Sequence, residues 1–235
     1  MQRIVIAIDG YSGCGKSSTA KAVAKMLDYT YIDSGAMYRA ATLHFQNNHV
    51  MLSNQKEVDK NLENLQITFH VNPDNGNQET FLNGINVEDE IRSMKISQYV
   101  SEVSKIKEVR AALVAQQQHL GRKKGVVMDG RDISTVVFPE AELKIFMSAD
   151  LKIRAERRQK ELLEKGDVVA LDKIVENLAE RDETDSTRKE SPLIKAEDAV
   201  ELNTSYLGFE EQVNQIVELA KKRIGIDDNE YGSNH

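Results

Sequence analysis

Residues 4–27 read IVIAIDGYSGCGKSSTAKAVAKML, and this stretch decides the fold. An apolar run at 4–8 leads into the glycine-rich loop GYSGCGKS at 10–17, and a helix-forming run follows it. A strand, a glycine loop and a helix in this order are the context of a phosphate-binding loop. Because glycine tolerates positive φ, such a loop can turn its backbone N–H groups inward and form an anion site at the start of the helix.

The last two residues of the loop indicate a nucleoside triphosphate and a metal ion. Lys16 is expected to reach the outer phosphates, and the hydroxyl of Ser17 is expected to ligate Mg²⁺. The alternative is a tight turn that matches by chance, which the strand before the loop and the helix after it disfavour. The cofactor-binding residues predicted in this stretch are Gly10, Tyr11, Ser12, Gly13, Cys14, Gly15, Lys16, Ser17 and Ser18.

Composition restricts the class of protein. A chain of 235 residues with 40% hydrophobic residues can form one large domain, or one domain with an insert, around a real core. No apolar run approaches the roughly 20 residues of a membrane span, and the run at 4–8 is too short for a signal peptide. The single cysteine, Cys14, excludes an internal disulfide framework, so we expect a cytoplasmic protein that binds no membrane.

The charge pattern indicates a small anionic ligand. A net charge of −7 argues against a general nucleic-acid binder, which usually carries a basic surface. Several arginines instead fall within short motifs, a pattern that suits a phosphorylated ligand held in a pocket.

Strand-like and helix-like runs alternate along most of the chain, which predicts an α/β fold with a parallel sheet of about five strands and helices on both faces. The predicted strands are 4–9, 30–33, 125–129, 143–147 and 199–202, and the predicted helices are 17–27, 36–47, 151–165, 171–183 and 209–224. Residues 65–71, 79–82 and 85–87 break this pattern and predict a small antiparallel meander, because turn sequences separate them. Residues 226–235 are expected to form a disordered tail.

Two motifs follow predicted strands and carry candidate ligand-binding residues. In DSGAMYR, residues 33–39, Ser34 opens a helix and Arg39 could form paired hydrogen bonds with a phosphate, although a helix cap with a surface arginine explains the motif equally well. In MDGRD, residues 128–132, Asp129 is placed to hold a water on the magnesium ion. Arg131 and Asp132 then lie in the crevice beyond the strand, unless the Asp-Gly pair is only a turn.

Two further groups of charged residues fall on predicted helices. Arg181, Asp185 and Arg188 have the spacing i, i+4, i+7, which places them on one face of a helix; a solvated ladder of ion pairs is the alternative. The second group, Arg154, Arg157 and Arg158, is expected in a lid that closes over a triphosphate, and a plain surface helix explains it almost as well. The five histidines have no metal-ligand spacing and receive no role.

The chemistry that these residues can perform is phosphoryl transfer. Transfer to another phosphate needs alignment and charge neutralisation but no general base, since the acceptor oxygen is already ionised. The chain supplies cations and phosphate cradles without an obvious base for an alcohol acceptor. The residues therefore favour a nucleotide or a similar phosphate as the acceptor.

Taken together, the motifs resemble those of the nucleoside monophosphate kinases, and most closely the cytidylate kinase family of bacteria. The resembling segments are IAIDGYSGCGKSSTAKAVA, YIDSGAMYRA, LNGINVEDEIR, DGRDISTVVFP and ERDETDSTR followed by SPL, and they span nearly the whole chain. The resemblance implies a P-loop kinase fold over residues 1–225, with a monophosphate-binding insert at about 62–92 and a short lid at about 150–168. It also implies transfer of the ATP γ-phosphate to CMP or dCMP, with Mg²⁺. Because no long exposed apolar helix stripe is evident in the sequence, we expect a monomer.

The resemblance also implies roles for individual residues. Lys16, Asp129, Arg131 and Arg188 are implied to be catalytic; Ser17 and Asp129 are implied to hold the metal; and Arg157 is the lid residue assigned to the nucleotide, although which lid arginine touches ATP is left open. The monophosphate side is assigned to Ser34 and Arg39, the cytosine base to Ser101, Arg110 and Asp132, the substrate phosphates to Arg131 and Arg188, and the ribose to Arg181 and Asp185.

Two alternatives stay open at this point. A kinase for another small phosphorylated or hydroxyl acceptor would share the P-loop but would not explain the arginine-rich motifs. A nucleotide-dependent switch protein of the GTPase kind should carry an N-K-x-D segment that reads guanine, and the chain has none.

Overall fold

A computed structural model describes residues 2–74, 76–164 and 166–225, with only the backbone of Met94. The elements in chain order are β1 (Val5–Gly10), α1 (Lys16–Leu27), β2 (Thr30–Asp33), α2 (Ser34–Asn47), α3 (Gln55–Glu63), β3 (Ile67–Val71), β4 (Gln78–Leu82), β5 (Ile85–Asn86), α4 (Met94–Val103), α5 (Lys107–Gly121), β6 (Val126–Gly130), β7 (Leu143–Ser148), α6 (Leu151–Glu164), α7 (Leu171–Thr187), β8 (Val200–Asn203) and α8 (Phe209–Ile224). A 3₁₀ turn at Glu90–Arg92 and a π-helical turn at Ile133–Val137 complete the described chain.

The chain divides into two compact units, which are described separately. The first unit takes in the described residues up to Ile32, the segment Gly121–Thr187 and the residues from Ser191 onward. The second unit takes in Asp33–Leu120 and Arg188–Glu190. It therefore contains α2, α3, α4 and all of α5 except its last residue, as well as the segment predicted as an insert.

The first unit is built on a parallel sheet with the strand order β2-β6-β1-β7-β8. β1 is the central strand, and all of its residues are buried. Its register with β6 sets Ile8 beside Asp129 and Asp9 beside Gly130, so the carboxyl ends of the two strands adjoin. In open parallel sheets, ligands bind beyond the carboxyl ends of the strands.

Two helices cover one face of this sheet. Alternate apolar side chains of β1, β6, β7 and β8 form one buried cluster with α1 and α8, to which Val23 and Val217 contribute. A smaller buried cluster joins α6 to α7 through Leu162 and Leu178. The helical spacing of these apolar residues explains why the sequence predicts both pairs of helices.

The second unit combines helices with a small sheet. Its strands have the order β3-β4-β5 and are antiparallel, with Ile67 opposite Leu82 and Phe81 opposite Asn86. α2 packs against α4 and β4 and buries ten of its fourteen residues. The predicted antiparallel meander is confirmed.

The predicted parallel sheet is also confirmed, with strand ends shifted by one residue at most positions. Residues 48–64 and 88–124 received no predicted elements, and they form α3, α4 and α5. α7 continues to Thr187 rather than ending at 183. Residues 226–235 lie outside the described residues. None of the helices in the described part of the chain is long and apolar enough to cross a membrane.

Gly10 is the last residue of β1 and pairs with Met147 of β7. A substitution there measures how closely the two strands pack at the start of the loop. The φ of Gly10 is 148°, and a Cβ atom there would lie 1.9 Å from the carbonyl oxygen of Met147. Because that atom belongs to the backbone of a central strand, we expect Gly10→Ala to lower the free energy of unfolding by about 3 kcal/mol or more, through strain and overpacking. Urea unfolding followed by circular dichroism measures the change.

Gly208→Ser is the matched control for Gly10→Ala. Gly208 has the extended φ of −65°, and nothing lies within 4 Å of the position that its Cβ would take. Serine is also a good residue at this helix N-cap, so stability should stay nearly unchanged. Equal losses in the two variants would contradict the tight contact between Gly10 and β7.

Candidate active site

The loop after β1 leads directly into α1, and no nearby side chain among the described residues accepts a hydrogen bond from the first backbone N–H groups of that helix. Gly15 is the N-cap of α1, and no side chain in the described part of the chain caps that helix end. The first N–H groups of a helix lack partners within the helix and carry a partial positive charge. The loop therefore offers an anion site, as the sequence predicts.

Lys16 is buried at this site, with 5% of its surface exposed. Its Nζ donates to the carbonyl oxygen of Tyr11 at 2.5 Å and lies 3.7 Å from the sulfur of Cys14. Burial lowers the pKa of Lys16, and the nearby guanidinium groups of Arg131 and Arg181 lower it further. Three cations thus share one region of the first unit, an arrangement that an anionic ligand would stabilise.

Ser17, in the first turn of α1, contacts Asp129 near the end of β6. The Ser17 hydroxyl donates to one carboxylate oxygen of Asp129 at 2.8 Å, and the Tyr31 hydroxyl donates to the other at 2.8 Å. Hydroxyl and carboxylate oxygens are the donors that Mg²⁺ prefers, so this pair fits the predicted metal. Within the described residues no group of three or more His, Cys, Asp or Glu could hold a metal alone.

Arg131 is oriented by an ion pair from α7. Its Nε donates to the Asp185 carboxylate at 2.7 Å, and both side chains are largely buried. Burial alone would lower the pKa of Arg131, but Asp185 raises it, so the guanidinium is permanently charged. Arg181 and Asp185 both lie on α7, whereas Arg188 lies one residue beyond the end of that helix. The predicted helical spacing therefore covers only the first two of the three residues.

The three arginines predicted for the lid lie on α6 and have different partners. Arg154 is buried and donates to the carbonyl oxygens of Ala149 and Ser12, at 2.9 Å and 3.0 Å. Arg157 donates to the carbonyl oxygen of Thr204 at 2.5 Å and to its hydroxyl at 3.2 Å. Arg158 pairs with the exposed Glu161. A role for Arg157 with ATP stays a prediction, and of the three only Arg154 contacts the phosphate-binding loop directly.

The second unit holds the residues predicted for the monophosphate, Ser34 and Arg39. Asp33 caps α2 by accepting from the Ala36 N–H at 2.7 Å, and its Oδ2 pairs with Arg39 at 3.1 Å and Arg92 at 2.9 Å. Burial would raise the pKa of Asp33, but these two guanidinium groups lower it below its ordinary value. Ser34 is buried at the first position of the helix. The motif is therefore an arginine pair organised by one carboxylate.

Arg110 and Ser101, predicted to contact the base, also lie in the second unit. The Arg110 guanidinium stacks over the Tyr38 ring at 5.2 Å and donates to the Ser104 carbonyl oxygen at 3.1 Å. Ser101 lies on α4 and is half-buried. Asp132, the third predicted base contact, is buried in the first unit, two residues after the end of β6.

Several residues that bind and position the site residues were not predicted from the sequence. Arg92 shares Asp33 with Arg39, although the sequence places it 59 residues away. Thr204 donates to the Cys14 carbonyl oxygen at 2.9 Å, and Gln212 accepts from Thr19 at 3.2 Å, so both brace the loop and the start of α1. These contacts join distant parts of the chain and leave no local spacing pattern.

Comparison with known proteins agrees with this geometry. A phosphate-binding loop after the central strand of a parallel sheet, with arginines beyond the strand ends, defines the class of P-loop kinases. The family model described as cytidylate kinase matches residues 6–222. The chain belongs to the cytidylate kinase family.

The chain is also similar to individual cytidylate kinases in sequence and to one solved structure in fold. The chain is 54% identical to a cytidylate kinase of Cytophaga hutchinsonii, with 94% of each chain covered. It is 50% identical to a cytidylate kinase of Flavobacterium psychrophilum, with 93% of this chain and 98% of the relative covered. A crystal structure of an uncharacterized protein from Eubacterium ventriosum shares the fold, with a TM-score of 0.51, 10% identity and 94% and 99% of the two chains covered.

The buried Lys16 predicts a proton uptake on triphosphate binding. Its pKa lies below the ordinary value of 10.5, and a bound polyanion favours the charged ammonium and raises that pKa. ATP binding at alkaline pH should therefore take up a proton and weaken as pH rises. Calorimetry in two buffers of different ionisation enthalpy measures this uptake. In Lys16→Met the uptake should vanish, and an unchanged value there would show that another group titrates.

Proposed function

We propose that this enzyme transfers the γ-phosphate of ATP to CMP or dCMP and releases ADP with CDP or dCDP. The observation that carries the proposal is the cluster of Lys16, Arg131 and Arg181 beside the Ser17–Asp129 pair, in a member of the cytidylate kinase family. Two polyanions can be brought together only where cations offset their repulsion. The relatives named above are cytidylate kinases, which supports a cytidine monophosphate as the acceptor.

The donor nucleotide is proposed to bind at the loop after β1. The loop N–H groups and Lys16 would hold its phosphates, and Arg157 is proposed to contact the nucleotide from α6. Ser17 would ligate Mg²⁺ directly and Asp129 would hold it through a water. The bound ion would neutralise charge on the β- and γ-phosphates.

The acceptor is proposed to bind the residues that the sequence resemblance assigns to it. Ser34 and Arg39 would hold the monophosphate, and Arg181 and Asp185 would contact the ribose. Arg131 and Arg188 would neutralise the transferring phosphoryl group, which needs no general base because the acceptor oxygen is ionised.

The cytosine base is proposed to be read by Ser101, Arg110 and Asp132. A carboxylate accepts a hydrogen bond from the amino group of cytosine, whereas uracil presents a carbonyl oxygen there. Asp132 is only 4% exposed, so an unsatisfied contact would not be compensated by bulk water. This favours CMP over UMP.

We also propose how the domain is organised, how it closes and in what oligomeric state it acts. Residues 1–225 would form one P-loop kinase domain, in which the segment at about 62–92 and the lid at about 150–168 close over the nucleotides. Closure would exclude water and limit hydrolysis of ATP. The protein is proposed to be a cytoplasmic monomer.

A coupled assay with CMP, dCMP, UMP and AMP tests the proposed acceptor. We expect CMP and dCMP to give the highest kcat/KM, and a preference for UMP or AMP would contradict the assignment. Asp132→Ala should lower kcat/KM for CMP about 10- to 100-fold, the value of a hydrogen bond to a charged group, and lower it less for UMP. Glu140→Ala removes the same charge from an exposed position after β6 and should leave both values unchanged.

Asp129→Asn tests the proposed metal site. It removes the charge while keeping the size of the side chain, so the Mg²⁺ concentration for half-maximal activity should rise about tenfold or more. Tyr31→Phe removes only a hydrogen bond to Asp129 and should cause a smaller rise. Titration of activity with Mg²⁺ measures both, and an unchanged requirement in Asp129→Asn would remove that residue from the metal site.

A further inference from the structure

Asp9 is a carboxylate inside the sheet for which the proposed mechanism has no use. It is the penultimate residue of β1 and directly precedes Gly10, where the phosphate-binding loop begins. None of its surface is exposed. Among the described residues no cation forms an ion pair with it. A buried carboxylate is costly unless hydrogen bonds compensate for the lost water.

The hydrogen bonds to Asp9 all come from one segment. The Ile133 N–H donates to Oδ1 at 2.8 Å, and the Ser134 N–H donates to Oδ2 at 2.7 Å. The Ser134 hydroxyl also donates to Oδ2. Both carboxylate oxygens are therefore bound by a segment more than 120 residues away in sequence.

These donors begin the π-helical turn at Ile133–Val137, which follows Arg131 and Asp132. No side chain caps that turn locally within the described residues. The first N–H groups of a helical turn lack partners within the turn. Asp9, on the neighbouring strand β1, accepts hydrogen bonds from these N–H groups and so caps the turn. Burial raises the pKa of Asp9, while the hydrogen bonds from Ser134 and Ile133 act in the opposite direction. The contact thus fixes the backbone that carries Arg131 and Asp132 to the strand that carries the loop.

We propose that Asp9 is a positioning residue: its carboxylate, by binding the N–H groups of Ile133 and Ser134, holds Arg131 and Asp132 at a set place relative to the phosphate-binding loop. This inference rests on the proposed function only for the roles of Arg131 and Asp132 toward the acceptor. Asp9 itself touches neither nucleotide. Its loss should therefore affect acceptor use and base choice more than donor binding.

Asp9→Asn is the main variant. It keeps the size of the side chain but replaces one acceptor oxygen by an NH₂ group that faces an N–H or O–H donor. We expect kcat/KM for CMP to fall about 10- to 100-fold, the range for losing a buried charged acceptor. The KM for ATP should change by less than about twofold, because the loop contacts of Lys16 stay in place. The preference for CMP over UMP should decrease, since Asp132 is no longer held.

Hydrogen–deuterium exchange of the nucleotide-free protein provides a readout that does not depend on activity. In Asp9→Asn the amides of residues 132–137 should exchange faster, while those of α8 keep their rates. Ser134→Ala is a milder variant that removes one donor to Oδ2, so it should give smaller changes of the same kind. It keeps the test informative if Asp9→Asn does not fold.

Thr135→Val is the matched control. Thr135 lies in the same π-helical turn, and its buried hydroxyl has no hydrogen-bond partner among the described residues. The variant removes a hydroxyl next to Ser134 without removing a bond to Asp9, and it should leave exchange and kinetics unchanged.

The outcomes separate the positioning role from the proposed function. Faster local exchange together with a selective loss on CMP supports the inference. Unchanged exchange at 132–137, or a lower melting temperature with wild-type kinetics in the folded fraction, overturns it. If the wild-type protein phosphorylates no nucleoside monophosphate, the proposed function fails, and the exchange rates alone then decide whether Asp9 holds the segment.

Discussion

The burial of Lys16 among guanidinium groups is the constraint on which the first unit depends. A buried ammonium beside Arg131 and Arg181 loses solvation and is repelled by like charges, and its lowered pKa records both effects. The protein offsets part of this cost with Asp129 and with the carbonyl oxygen of Tyr11. A bound anion would offset the rest of this cost, so the arrangement suits a ligand that brings negative charge.

Such a site needs a rigid frame, and the frame comes from distant parts of the chain. Thr204 holds the Cys14 carbonyl oxygen, Gln212 binds Thr19, and Arg154 binds the Ser12 carbonyl oxygen while it pairs with Asp182 at 2.7 Å. These contacts hold the carbonyl oxygens of Ser12 and Cys14 and the first turn of α1 in place. Preorganised donors lose little entropy when the ligand binds, so their binding energy remains available for alignment.

The sequence predicted the helices, strands and turns that the composition of their own segments favours. It predicted little that depends on tertiary contacts. The buried strand before Gly10, the helix after it and the turns around β4 each have a composition that favours one structure, and all were confirmed. The helices α3, α4 and α5 were missed because their apolar residues do not follow a strand or a glycine loop that would mark them. The motif residues Lys16, Ser17, Asp129 and Arg131 were found from their place after strands. Asp9 and Arg92 were not, since their partners lie 124 and 59 residues away.

In both units a buried carboxylate pairs with the arginines and fixes the direction of their guanidinium groups. In the first, Asp185 orients Arg131; in the second, Asp33 orients Arg39 and Arg92. An arginine held by a carboxylate keeps its charge and has a defined direction, whereas a free arginine side chain would have to be ordered when the phosphate binds. The carboxylate also keeps closely spaced guanidinium groups from destabilising the fold. The phosphoryl transfer proposed above would need preoriented cations, and pairing Arg39, Arg92 and Arg131 with carboxylates allows a marginally stable protein to hold them.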